Sequence, residues 1–176
     1  MTGTTVQENR QEHSFVISVK PCVTYRHPVY ELADEWDSYY TFGIATDVPT
    51  LARNFAFRIE LEAGTIESKS IDSFEYTIFH PSLSLVYEFS VISNRIFILP
   101  RIGVTSTTIH IEDETIFRNM DLMATWESEF GALAGVEPCF RYRKFEATIP
   151  VSLAWTFSSP EPFVFIAVSI SAGMRF

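Results

Sequence analysis

His80, Ser82 and Glu88 lie on one face of a single alternating segment, and they are the residue types of nucleophilic hydrolysis. A serine nucleophile needs a base within hydrogen-bond reach and an acid that orients that base. Ser82 and Glu88 are six residues apart, which along a strand is about 20 Å. Pro81 stands between His80 and Ser82. The three cannot form one triad, so the chain is read as a non-enzyme. Two acidic clusters raise divalent-metal chemistry: Asp34, Glu35 and Asp37, and Glu112, Asp113 and Glu114. Neither has the ligand spacing of a calcium loop. Both are read as solvated loop surface, and no metal or other cofactor is expected. Cys22 and Cys139 are too few for a disulfide framework and lack metal-ligand spacing. Their strands are not neighbours in the arrangement derived below, so both are expected to be free.

The charged residues that share a position are a different set. Lys20, Arg26, Arg58, Arg101 and Arg141, with Glu60, Glu62, Glu88 and Glu137, all fall on faces built mostly from Gly, Ala, Ser and Thr. These five positive and four negative charges nearly cancel. A solvent face would carry more Lys and Glu and fewer small residues. Small residues with charges that can pair are what a narrow interior requires, because an unpaired buried charge is costly.

The elements that position these residues are strands. Period-two alternation recurs from residue 14 to the end, giving eight expected strands at 14–26, 38–47, 55–62, 74–92, 95–109, 130–143, 146–157 and 163–176. In the first, Phe15, Ile17, Val19, Pro21, Val23 and Tyr25 oppose Ser14, Val16, Ser18, Lys20, Cys22, Thr24 and Arg26. A helical turn is expected at 117–123, FRNMDLM. Without crossover helices, the order argues for an antiparallel meander, and eight strands can close into a barrel that removes exposed edges. Pro21, Pro100, Pro138 and Pro150 each remove a ladder hydrogen bond, so bulges or unpaired positions are expected there.

Composition narrows the class. The chain has 176 residues, enough for one sizeable core, with 47% apolar residues and a net charge of −9. The acidic balance argues against nucleic acid. No apolar run reaches the ~18 residues of a membrane helix. Residues 1–13 are polar, with no apolar signal segment. They are read as a mobile tail ahead of a barrel over 14–176, on either a cytosolic protein or a mature chain.

Periodicity does not say which face is inside. A soluble barrel turns its apolar face inward, and a transmembrane barrel turns it to lipid. The apolar face is almost uninterrupted, with aromatics near strand ends: Phe15, Tyr25, Tyr40, Phe55, Tyr142, Phe157 and Phe176. The connections divide into two sets. Segments 27–38, 64–75, 110–129 and 158–162 hold 14 acidic residues and two basic ones, Lys69 and Arg118. The opposite set holds Arg53, Arg95, Arg143, Lys144 and Arg175 against Asp47 and Glu146, and its turns are shorter. Long loops on one side and short turns on the other are the asymmetry of outer-membrane barrels. Trp36 and Trp126, in two loops of one side, make either a contact patch or loop anchors.

On these residues the chain resembles the small outer-membrane barrels of diderm bacteria, the OmpX, OmpW and OmpA-barrel group, over residues 14–176. In that group the closing strand commonly ends in Phe after alternating apolar residues and serves as an insertion signal. Ile170, Ala172, Met174 and Phe176 occupy those positions, with Met174 where an aromatic is more usual. No lipocalin-type Gly-x-Trp stands near the first strand. The expected fold is an all-β, eight-stranded antiparallel up-and-down transmembrane β-barrel. The resemblance implies a monomer in the bacterial outer membrane, a mature chain without its signal peptide. Its implied partners are outer-membrane lipid and the insertion machinery, and the acidic loops add an expected extracellular partner. Structural or surface interaction is the leading function. The alternatives are a narrow channel for small or hydrophobic solutes and a soluble carrier of lipophilic ligands.

Overall fold

The computed structural model describes residues 16–30, 32–67, 69, 75–92, 95–111, 126–157 and 162–176. Its strand segments are β1 (Ser18–Val29), β2 (Tyr39–Pro49), β3 (Phe55–Glu67), β4 (Glu75–Tyr87), β5 (Phe89–Ile92), β6 (Ile96–Ile111), β7 (Trp126–Tyr142), β8 (Phe145–Thr148), β9 (Val151–Thr156) and β10 (Val164–Arg175). One helical turn, α1 (Leu32–Glu35), lies between β1 and β2. The expected tail over 1–13 and the expected helical turn at 117–123 lie outside the described residues. β1 begins and ends later than the alternation implied, and β7 starts four residues earlier, at Trp126 rather than 130.

Every pairing is antiparallel, and all but the closing one join spans that follow one another in sequence. β4 and β5 both pair with β6, while β8 and β9 both lie between β7 and β10. Each couple is one span with a break, so the segments make eight spans. Pairing of β1 with β10 closes the ring. The register can be followed once round it. Ser18 faces Asp47, which faces Arg58, then Ser84, Gly103, Leu133, Ala154, Phe165 and finally Pro28. The circuit returns to β1 ten residues beyond its start. Ten residues of ~3.3 Å over eight spacings of ~4.8 Å tilt the strands by about 40°.

The prolines explain the breaks. By register Pro100 stands opposite Tyr87, at the edge of the gap between β4 and β5, while Pro150 lies in the gap between β8 and β9 with Pro138 across from it on β7. Pairing of β1 with β10 skips Lys20 and Pro21, and pairing of β4 with β6 skips His80 and Pro81. Each proline lacks an N–H, so the ladder lapses for two positions. It resumes in the same register on both sides at Pro21 and Pro81. Unpaired positions, rather than bulges, accommodate them there.

Burial fixes the faces. On β1, Ser18, Lys20, Cys22, Thr24 and Arg26 are buried while Val19, Val23 and Tyr25 are exposed. The same alternation runs round the ring, with Ile44, Ile59, Leu83, Ile102, Val136, Leu153 and Ile170 on the outer wall. The apolar surface is outside and the polar surface inside. On β7, Phe130 is 72% and Phe140 is 46% exposed. Ten residues at ~3.3 Å and ~40° of tilt separate them by ~25 Å along the axis, the height of a lipid-facing band. Two inward glycines keep the interior open to long side chains. A Cβ on Gly43 would stand 2.8 Å from Glu62 Cγ, and one on Gly173 would stand 2.8 Å from Lys20 Cγ.

Candidate functional site

The lumen is filled by two layers of different chemistry. Near the short turns and at mid-height it is mainly ionic, with one small apolar cluster of Val86, Phe97, Leu99 and Cys139 on its wall. Lys20 Nζ donates to Asp47 Oδ2 at 2.7 Å and to Glu146 Oε1 at 2.8 Å, with Glu137 Oε1 at 3.8 Å. Arg58 donates to both Asp47 oxygens, at 2.6 and 3.0 Å, and reaches across the barrel to Glu137. Arg141 joins Glu146, at 2.6 Å, to Glu88, and its guanidinium lies 4.3 Å from the centre of the Phe97 ring. Arg175 adds a contact to Glu146 at 3.7 Å. Higher up, one Arg101 nitrogen meets both oxygens of Glu60, at 2.6 and 2.7 Å, and Ser82 donates to the same carboxylate at 3.0 Å. Arg26 pairs with Glu62 at 2.8 Å, supported by Thr24 and Thr41. Nearly all these groups are under 10% exposed. Charges so far from water persist only when paired and hydrogen-bonded.

Toward the long connections the lumen becomes apolar. Trp36, Tyr39, Ile66, Ile78, Leu133, Ala154 and Phe165 form one buried cluster. The Trp36 ring lies 5.5 Å from Phe163 and 6.3 Å from Phe165, and Phe165 meets Tyr39 edge-on at 6.1 Å. His80 ties the layers together, with Tyr39 Oη 2.8 Å from Nε2 and Thr107 Oγ1 3.2 Å from Nδ1. The segment just before β2 thus folds inward over the charges as an aromatic plug.

Each residue singled out in the sequence now has a location. His80, Ser82 and Glu88 face the lumen but serve three different partners: Tyr39, Glu60 and Arg141. Among the described residues no group of His, Cys, Asp or Glu could hold a metal ion. Asp37 instead pairs with Lys69 at 3.2 Å, and Glu112, Asp113 and Glu114 lie outside the described residues. Cys22 and Cys139 are free and buried. Trp36 anchors a connection inside the barrel, whereas Trp126 is 51% exposed and stacks on His110 at 4.2 Å. They do not form one patch. Ile170, Met174 and Phe176 are exposed on the outer wall of β10 or just beyond it, and Ala172 shares their side of the strand.

Two acids stand elsewhere than the sequence reading placed them. Asp47 and Glu146 are 2% and 1% exposed, inside the lumen rather than on the short-turn rim. The signal was present in the phase: Asp47 keeps step with Gly43 and Ala45, and Glu146 with Thr148. With these two and Arg175, six acids face six bases.

Solved structures share this architecture. The attachment invasion locus protein Ail of Yersinia pestis, solved with the heparin analogue sucrose octasulfate, is 13% identical, covers 91% of this chain and 97% of its own, and superposes with a TM-score of 0.57. Neisserial surface protein A is 10% identical over 91% and 97% of the two chains, with a TM-score of 0.58. This is the fold of the small outer-membrane barrels. The outer membrane protein W of E. coli agrees, at 14% identity, 93% and 100% coverage and a TM-score of 0.51. No protein-family model and no curated protein matches the chain. The outer-membrane barrel fold places the alternating apolar face against lipid and the ion pairs in a narrow interior.

Proposed function

We propose that this chain is a monomeric, closed outer-membrane barrel of a diderm bacterium that works from its surface. Its long, acidic connections are the part that meets an extracellular partner. One observation carries the reading: the lumen is filled by paired charges and capped by the Trp36–Tyr39–Phe165 plug. A filled interior leaves the connections as the functional surface. Fourteen acidic residues in those connections give it a consistent sign. Ile170, Ala172, Met174 and Phe176 are the proposed insertion signal, read by the machinery that places barrels in the membrane. The lumen network of Lys20, Arg26, Arg58, Glu60, Glu62, Glu88, Arg101, Glu137 and Arg141, completed by Asp47 and Glu146, holds the strands in register. A soluble carrier of lipophilic ligands requires the reverse orientation of faces.

Two measurements test this reading. Unheated samples in detergent should migrate differently from boiled ones on a gel, as folded barrels do, and the wild-type protein should show no sustained single-channel steps in planar bilayers. Steady open steps would favour the narrow-channel alternative. Full monomeric solubility without detergent would remove both.

A further inference from the structure

The acidic residues divide without remainder. Of 22, six are in the lumen, fourteen are in the long connections and the strand ends beside them, and Glu8 and Glu12 lie in the N-terminal segment. Among the described residues, no acidic side chain is exposed on the short-turn rim. That rim carries Arg53, Arg95, Arg143 and Lys144, all exposed. Beneath the rim runs a belt of aromatics: Phe89 at 53%, Phe140 at 46%, Tyr142 at 50%, Phe145 at 46% and Phe176 at 71% exposure.

One turn in this rim departs from what hairpins favour. Tyr142 pairs with Phe145, so Arg143 and Lys144 form a two-residue hairpin turn, and Arg143 sits at φ 56°. Such turns take Gly or Asn at positive φ, because a Cβ is crowded there. An Arg–Lys pair stands where an uncharged Asn–Gly pair would fold more easily. The Arg143 guanidinium lies 5.4 Å from the centre of the Tyr142 ring, at the level where aromatic side chains meet headgroups.

We propose that this rim is a binding surface for anionic phospholipid headgroups in the leaflet at the short-turn end. The inference rests on the membrane-barrel reading above. Charge complementarity selects the ligand: four cations set just outside an aromatic belt meet phosphate at headgroup depth, and among the described residues no exposed acidic side chain stands with them to repel it. The buried acids Asp47, Glu88 and Glu146 are engaged by Lys20, Arg58 and Arg141, so they do not neutralise the rim.

The test is native mass spectrometry of the full chain, folded in detergent, with phosphatidylglycerol or phosphatidylcholine of matched acyl chains. Wild-type protein should retain phosphatidylglycerol about tenfold more than phosphatidylcholine. The variant Arg53→Gln, Arg95→Gln, Arg143→Asn, Lys144→Gly should lose that preference while keeping its heat-modifiable mobility. Should the quadruple variant not fold, Arg143→Asn alone, a change the turn favours, should reduce the preference. Equal retention of the two lipids, or a preference that survives these substitutions, overturns the proposal. So does displacement of the lipid by millimolar inorganic phosphate, which would make the rim a site for free phosphate. A wild-type protein soluble without detergent would refute the barrel reading itself, whichever lipids it retains.

Discussion

The two layers of the lumen answer one demand, filling a narrow interior, with different chemistry: the lower is dominated by ion pairs, with Val86, Phe97, Leu99 and Cys139 as its apolar minority, and the upper by apolar contacts. The lower layer uses charges that reach between spans not adjacent in the ring, as Arg58 of β3 does to Glu137 of β7. The upper layer uses aromatic and aliphatic side chains from the β1–β2 connection, β2, β3, β4, β7, β9 and β10. Directional ion pairs fix which residue meets which, whereas apolar contacts fill volume with looser geometry. Position along the axis accounts for the assignment. The plug stands where water would enter from the long connections, and it keeps the ion pairs in a low-dielectric environment where they are not screened. The aromatic layer thus protects the ionic one.

Substitutions can break this division. Lys20→Met should be the most damaging, because it leaves Asp47, Glu137 and Glu146 together without their shared cation. Breaking a buried pair costs about 3–5 kcal/mol, read as a lower urea midpoint for loss of the unheated gel band. A double variant, Lys20→Met with Glu146→Leu, should recover part of that loss, since an apolar replacement of both partners is tolerated better than one stranded charge. Trp36→Ala should come next, with about 3 kcal/mol lost from the plug. It should also make the barrel more salt-sensitive, because water then reaches the charges, and wild-type stability should change little with salt.

Smaller effects sharpen the boundary between the layers. Tyr39→Phe removes only the hydroxyl shared with His80 and should cost about 1 kcal/mol. Lys69→Ala removes an exposed pair with Asp37 and should change stability by less than about 0.5 kcal/mol. If Lys69→Ala matched Lys20→Met in the same urea titration, the distinction between buried and exposed pairs would fail.

Much of this was legible in the sequence because a strand alternates and a barrel has two solvents. Lys20, Arg58, Glu137 and Arg141 each fall among small residues, and that company marks a lumen more clearly than charge alone. The strand ends were harder. Asp47 and Glu146 lie one or two residues from turns, where a residue count cannot separate rim from interior, although their parity does. The plug was not legible. Trp36 reaches the lumen from a connection without period-two order, and only the return of that connection over the barrel brings it to Phe165. The prolines were legible as a difficulty but not as its solution. That solution lies in register: Pro100 on one span and the break after Tyr87 on its neighbour meet only once the pairing is known.

The orientation of the two faces underlies the whole account, and the tryptophans report it directly. Trp155 is 51% exposed on the outer wall, and Trp36 is 9% exposed inside the plug. Variants carrying one or the other as the sole tryptophan, folded into vesicles with bromine on the acyl chains, should differ sharply in fluorescence. Trp155 should be strongly quenched and Trp36 almost untouched. Strong quenching of Trp36, with Trp155 unaffected, would contradict the assignment of lipid and lumen on which the barrel rests.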